Sequence, residues 1–133
     1  MQEELNEVFG DSDRPCTMED TTKLKYLECC IKESLRLHPA VPIFSRYMTE
    51  DIELGGYNIP TGAFVSLQIY ALHRNEEYFP DPYVFKPERF QTTESIGRHA
   101  FAFVPFSGGS RNCIGIKIML LHNDASILRL IVC

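Results

Sequence analysis

Hydrophobic positions fall at helical spacing in the first part of the chain and at alternating spacing further on. Leu5, Val8 and Phe9 share one face of a helix. The run Gly10-Asp11-Ser12-Asp13-Arg14-Pro15 then stops it and begins a loop. Residues 17–37 read as a second helical region, with Leu24, Leu27, Ile31 and Leu35 on one stripe and Glu28 and Lys32 as an i, i+4 pair. Pro39 and Pro42 end that region. Ile52-Glu53-Leu54, Gly55-Gly56 and Tyr57-Asn58-Ile59 predict a small hairpin, because paired glycines accept the positive φ that a tight turn demands. Val65, Leu67 and Ile69 then alternate with Phe64, Ser66, Gln68 and Tyr70, the period of a two-faced strand. Residues 74–98 lose regular pattern. Pro80, Pro82 and Pro87 fall there among Tyr78, Phe79, Tyr83, Phe85 and Phe90, which predicts a long, packed and ordered loop. Residues 101–106 lead into Ser107-Gly108-Gly109-Ser110-Arg111-Asn112-Cys113-Ile114-Gly115, and helical character resumes over 116–121. The expected class is mainly α with a small β element.

Composition narrows the function classes. The chain has 133 residues and is 44% hydrophobic, the balance of an ordinary globular domain. A net charge of -5 and no Lys/Arg cluster exclude a basic nucleic-acid surface. Five cysteines, Cys16, Cys29, Cys30, Cys113 and Cys133, are an odd number with no C-x-x-C pair, so a disulfide framework or zinc ribbon is not expected and a reducing compartment fits better. The start, Met1-Gln2-Glu3-Glu4-Leu5, resembles neither a signal peptide nor a membrane anchor. No segment approaches the ~20 apolar residues of a membrane span.

The chemistry concentrates at Cys113. A thiolate needs its charge stabilised, and helix N-termini, backbone N–H groups and cations all do this. Gly108 and Gly109 let the backbone turn and approach a flat ligand, Arg111 brings a cation, a helix is expected just after Cys113, and Gly115 leaves space on its first turn. A buried structural cysteine beside a Gly-rich turn is the plainer alternative. A phosphate loop fails on spacing, since Gly115 is followed by Ile116 rather than Lys-Ser/Thr. A cysteine nucleophile would want a basic partner, which His38, His73, His99 or His122 could supply.

Phe106-x-x-Gly109-x-Arg111-x-Cys113-x-Gly115 resembles the haem-binding signature of the cytochromes P-450 at every defined position. The resemblance implies haem b with Cys113 as proximal axial ligand to iron, Arg111 bonding a propionate, Phe106 near the sulfur, and Gly109 and Gly115 shaping the loop. Thiolate ligation favours O–O cleavage, which explains why such a family uses Cys where globins use His. Glu33-Ser34-Leu35-Arg36 and Pro87-Glu88-Arg89-Phe90 resemble two further family elements in the right order. They imply a buried triad of Glu33, Arg36 and Arg89 that serves the fold and haem retention. Arg46 stands where relatives often place a second propionate contact, with a solvated strand-edge charge as an equal alternative. His73 resembles a recurrent family position, for which packing or loop hydrogen bonding is expected over ligation. Thr17-Met18-Glu19-Asp20, Lys25-Tyr26-Leu27-Glu28 and Arg111-Asn112-Cys113-Ile114-Gly115 look like the animal fatty-acid ω-hydroxylase branch.

The resemblance further implies that residues 1–133 are the proximal, C-terminal haem-binding portion of a single, incomplete P-450 domain, whose distal wall and membrane anchor would precede Met1. The family's oxygen-activating acid–Thr pair is not matched. Asp20-Thr21 is the sole Asp-Thr pair and lacks the small residues expected before it. Ser110 stands where close relatives often have Pro, and 118–133 departs from the usual helix. By this resemblance the complete enzyme would insert one oxygen atom from O2 into an organic, fatty-acid or lipid-like substrate. It would take electrons from NADPH-cytochrome P-450 reductase at the cytosolic face of the endoplasmic reticulum membrane, and the fragment alone is expected to be inactive. A non-catalytic haem-binding fragment or truncated isoform is the alternative, and a haem-free cysteine enzyme the third reading.

Overall fold

The computed structural model describes residues 1–116 apart from positions 11 and 13, so the helix expected over 116–121 and the atypical segment 118–133 lie, beyond Ile116, outside the described residues. Three helices open the chain: α1 (Gln2–Phe9), α2 (Met18–Lys23) and α3 (Lys25–Leu37). Gly10 ends α1 with φ 56. The single helical region expected over 17–37 is two helices, because Leu24 leaves helical geometry at φ -85, ψ 65. A remote carboxylate stabilises that break. Glu4 of α1 accepts the N–H groups of Tyr26 at 2.6 Å and Leu27 at 3.0 Å, satisfying donors that a new helix start would leave bare. Thr17 and Asp20 form a capping box on α2. Arg14 clamps the same Asp20 at 2.6 and 2.8 Å. The Arg14 guanidinium and Thr17 hold the Asp20 carboxyl well below the usual carboxylate range.

Leu5, Leu24, Leu27 and Ile31 form a buried cluster, with Val8, Phe9, Cys16 and Leu35 packed against it. The expected stripe therefore faces the core, and Leu5 of α1 completes it. Glu28 and Lys32 pair at 2.6 Å on the partly exposed face.

β1 (Ile43–Tyr47) pairs antiparallel with β4 (Phe64–Gln68), placing Arg46 opposite Val65. β2 (Ile52–Leu54) and β3 (Tyr57–Ile59) form the expected hairpin, with Gly55 at φ 59 and Gly56 at φ 83 in its turn. β1 was not anticipated, since Ile43-Phe44-Ser45-Arg46-Tyr47 has no clean apolar–polar alternation. The strand expected through Tyr70 stops at Gln68, and Ile69 begins a single helical turn, α4 (Ile69–Leu72). This turn buries Ile69 to 2% exposure and lets the Tyr70 N–H donate to the Pro42 carbonyl at 3.0 Å.

Residues 74–98 are a chain of hydrogen-bonded turns with a short 3-10 helix at Pro87–Phe90. Their order comes from rings. Phe79 is fully buried, Phe79 and Phe90 pack at 6.4 Å, and Phe90 meets Phe103 at 4.6 Å. Tyr26 of α3 donates to Glu88 at 3.0 Å, tying the segment to the helices. Among the described residues no helix is long and apolar enough to cross a membrane.

Candidate functional site

The C-terminal half of α3 positions the first group of expected residues. Glu33 and Arg36 lie three apart and so share a face, and both are fully buried. Arg36 donates to both carboxylate oxygens of Glu33, Nε to Oε2 at 2.7 Å and Nη2 to Oε1 at 2.8 Å. Its Nη1 reaches the carbonyls of Pro82 at 2.7 Å and His73 at 3.0 Å, and Nη2 that of Val84 at 3.3 Å. Glu33 Oε1 also accepts the Lys86 N–H at 2.9 Å. Arg89, on the 3-10 helix, brings Nε to 3.5 Å from Glu33 Oε1 and donates from Nη2 to the Asp81 carbonyl at 2.8 Å. The structure thus brings Glu33, Arg36 and Arg89 together and adds loop carbonyls that spacing alone did not reveal. A planar guanidinium can hold a carboxylate and several carbonyls at once, which an ammonium cannot.

His73 sits beside this group, fully buried. Its Nε2 accepts the Val104 N–H at 3.0 Å, and its ring packs on Phe103 at 5.0 Å. Nδ1 has no hydrogen-bond partner. Burial, more than any neighbouring charge, pushes the His73 imidazole down from 6.5 to about 4. Between those values the unfolded chain binds a proton that the folded chain refuses. The contribution to stability is therefore whole above the unfolded value and is lost as pH falls through about 4. Urea midpoints should consequently fall more steeply with acidification for the native chain than for His73→Gln, which has nothing to titrate there. Equal slopes would contradict the assignment.

The cysteine loop follows at once. The Cys113 N–H donates to the Phe106 carbonyl at 2.9 Å, which closes the loop on itself and leaves the cysteine exposed. Gly109 takes φ 75, a conformation that favours glycine, and Ser107 takes φ 65. Gly108 is also required by packing, beside the ligand approach expected of it. It is extended, and a Cβ there would stand 2.8 Å from the Phe101 ring. A Cβ on Gly115 would meet Cys113 Sγ at 3.8 Å, an ordinary contact, so the space beside the sulfur is open but not closely fitted. Ser110 is exposed within a short 3-10 turn, Gly109–Arg111.

Cys113, Arg111, Phe106 and Arg46 line one cavity of about 370 Å³, together with Val41, Phe44, Ile69 and Val104. Arg46, Phe44, Ile69 and Val104 also line a neighbouring cavity of about 580 Å³ that reaches Gly108 and Gly109. Strand pairing is what delivers Arg46 here. Arg46 is half-buried as a residue, and its guanidinium lies over the Phe44 ring at 4.8 Å. The donor set is a sulfur, two guanidinium groups and an apolar wall, which fits a flat, largely apolar ring carrying carboxylates and a soft-ligated metal. Haem, the group implied by the sequence resemblance, meets that description.

The alternatives fit less well. Among the described residues no histidine lines the cavity with Cys113; His73 is engaged by Val104 and His99 accepts the Phe101 N–H at 3.2 Å, while His122 lies outside the described residues. Among the described residues no cluster of three or more His, Cys, Asp or Glu could hold a metal ion. Burial pushes the Cys29 thiol up and that of Cys30 up to about 11, so neither is poised as a nucleophile. Sequence reasoning missed Val41, Phe44 and Glu4. The first two lie on or beside the unforeseen β1, and Glu4 acts across 22 residues, a separation that no local pattern encodes.

Comparison with known proteins places these motifs in context. A family model described as cytochrome P-450 matches residues 1–125. Cytochrome P-450 4V2 of Mus musculus is 53% identical over 132 residues, covering 97% of this chain and 25% of the mouse protein. The Homo sapiens protein of the same name is 54% identical over 119 residues, covering 90% and 23% respectively. Cytochrome P-450 4c3 of Drosophila melanogaster is 48% identical over 126 residues, covering 94% and 24%. The chain spans about a quarter of the length of these relatives.

Proposed function

Because the chain belongs to the cytochrome P-450 family, a family of haem-thiolate monooxygenases, we propose that residues 1–133 are the proximal, haem-binding part of such an enzyme, with Cys113 as the iron ligand. The observation that carries this reading is the cavity where Cys113, Arg111 and Arg46 meet against an apolar wall. Haem, when bound, would supply the oxidation, inserting one oxygen atom from O2 into an organic substrate.

The chain's own residues have narrower tasks. Cys113 offers its sulfur from a loop closed by the Phe106 carbonyl. Arg111 and Arg46 would each hold a propionate, neutralising charge that the apolar wall would otherwise make costly to bury. Val41, Phe44, Ile69 and Val104 would supply the apolar wall against which the group packs. Gly109 lets the loop turn, and Gly115 leaves open space beside the sulfur. Glu33, Arg36 and Arg89 hold the 74–98 segment on α3 and do not line the cavity.

Asp20-Thr21 takes no part in oxygen activation in this reading, because the Asp20 carboxylate is engaged by Arg14 and Thr17. Relatives named as P-450 4V2 and 4c3 support the branch that oxidises fatty-acid-like substrates. Electrons from NADPH-cytochrome P-450 reductase and a place on the endoplasmic reticulum membrane follow from the same branch. The chain alone is taken to bind haem without turning over substrate.

Haem titration of the full chain, followed by absorbance, tests the reading. Arg111→Gln and Arg46→Gln should each weaken haem binding roughly tenfold to a hundredfold, the cost of one charge-assisted hydrogen bond. Far-UV circular dichroism should stay unchanged. Native affinity in both variants would overturn the assignment of the two arginines.

A further inference from the structure

His73 lies between the buried ion pair of α3 and the segment that leads into the cysteine loop, and it bonds to both. Its carbonyl accepts from Arg36 Nη1 at 3.0 Å, and its Nε2 accepts from the Val104 N–H at 3.0 Å. Two residues beyond Val104, the Phe106 carbonyl accepts the Cys113 N–H at 2.9 Å. The His73 ring also backs Phe103 at 5.0 Å, and Phe103 packs on Phe90 at 4.6 Å. A continuous path of hydrogen bonds and short backbone steps therefore runs from Glu33 through Arg36, His73 and Val104 to Cys113.

We infer that His73 is a positioning residue, whose neutral imidazole acts as a hydrogen-bond acceptor that fixes the entry to the cysteine loop and so aims Cys113. The link to iron rests on the proposed role of Cys113; the link to the loop does not. The acceptor role dictates the tautomer. Nε2 must carry the lone pair, so the proton resides on Nδ1. Arg36 and Arg74 are the charged groups facing the ring, both cationic, and both oppose a second proton that would turn Nε2 into a donor against the Val104 N–H. A rigid ring suits this place because it presents an acceptor on one edge and a packing face to Phe103 at once. Glutamine can replace the acceptor, whereas leucine can replace only bulk.

Nitrogen-15 NMR of the full chain reads the tautomer directly. The expected form carries the proton on Nδ1, with a through-bond coupling between Nε2 and the Val104 amide, and the Nε2–H form would overturn the inference. Amide exchange gives the second arm. Val104 and Cys113 should exchange about tenfold faster in His73→Leu, the worth of roughly one hydrogen bond, and return close to native rates in His73→Gln. Ile31, in the core of α3, should not change. Equal acceleration at Val104 and Ile31 in both variants would reduce His73 to core packing and overturn the inference, as would no change in either. In haem-loaded protein, the thiolate-type Soret band should be weakened in His73→Leu and kept in His73→Gln. If the native chain takes up no haem, the role of Cys113 fails, while the tautomer and exchange arms still decide that of His73.

Discussion

Replacing Arg36 by leucine is expected to destabilise the chain by about 3–5 kcal/mol, the cost of removing one partner from a buried ion pair. Arg36 and Glu33 are both fully buried, so the substitution strands a carboxylate in the interior. It also removes the donor that the carbonyls of His73, Pro82 and Val84 share, and each buried acceptor left bare adds to the cost. Against a total stability of about 5–15 kcal/mol for a typical domain, that loss is large. Arg36→Lys should not rescue it, because an ammonium cannot bond both oxygens of Glu33 and three carbonyls in one plane. Glu28→Gln supplies the control. Its i, i+4 pair with Lys32 closes to 2.6 Å, as short as the i, i+3 pair of Glu33 and Arg36, but the Glu28 side chain is 46% exposed. It should cost at most about 0.5 kcal/mol. Urea unfolding of the full chain distinguishes them, and similar midpoints for Arg36→Leu and Glu28→Gln would contradict the description of the α3 network.

That contrast shows what the sequence could and could not disclose. Helical spacing put Glu33 and Arg36 on one face and Leu24, Leu27 and Ile31 on the buried stripe, because those relations are local. It could not rank Glu33–Arg36 above Glu28–Lys32, since burial depends on the turn-rich segment 74–98 folding back to deliver its carbonyls. The break at Leu24 was hidden for a similar reason. Nothing near it in sequence stops a helix, and the carboxylate that caps the new start comes from Glu4. The Gly55-Gly56 hairpin was legible because its turn chemistry is contained in two residues. β1 was not, because its pairing with β4 rather than its own pattern defines it.

The site divides in the same way. Cys113, Arg111, Gly109 and Gly115 lie within one loop, and their spacing announces a common task. Arg46 reaches that cavity only through the β1–β4 register, and Val41 and Phe44 carry no signal of their own. Gly108 borders the neighbouring cavity, and the sequence did not show that a Cβ there would collide with Phe101. Two glycines that look alike in sequence thus do different work: Gly109 supplies a left-handed turn and Gly108 makes room for a ring.

The second large effect falls on Cys113 itself. Among the described cysteines, Cys29 is buried and Cys30 holds its proton up to about 11, while Cys113 alone shares a cavity with two guanidinium groups. Cys113→Ser exchanges a soft sulfur for a hard hydroxyl of similar size at an exposed position, so the fold should survive while soft-metal ligation disappears. Cys30→Ser should leave ligation intact. The reduced, carbon monoxide difference spectrum of the haem-reconstituted chain measures this most directly. A thiolate-type Soret band in the native chain and in Cys30→Ser, absent from Cys113→Ser, is the predicted result. A band that persists in Cys113→Ser, or haem uptake by the native chain with no thiolate band, would contradict Cys113 as the iron ligand.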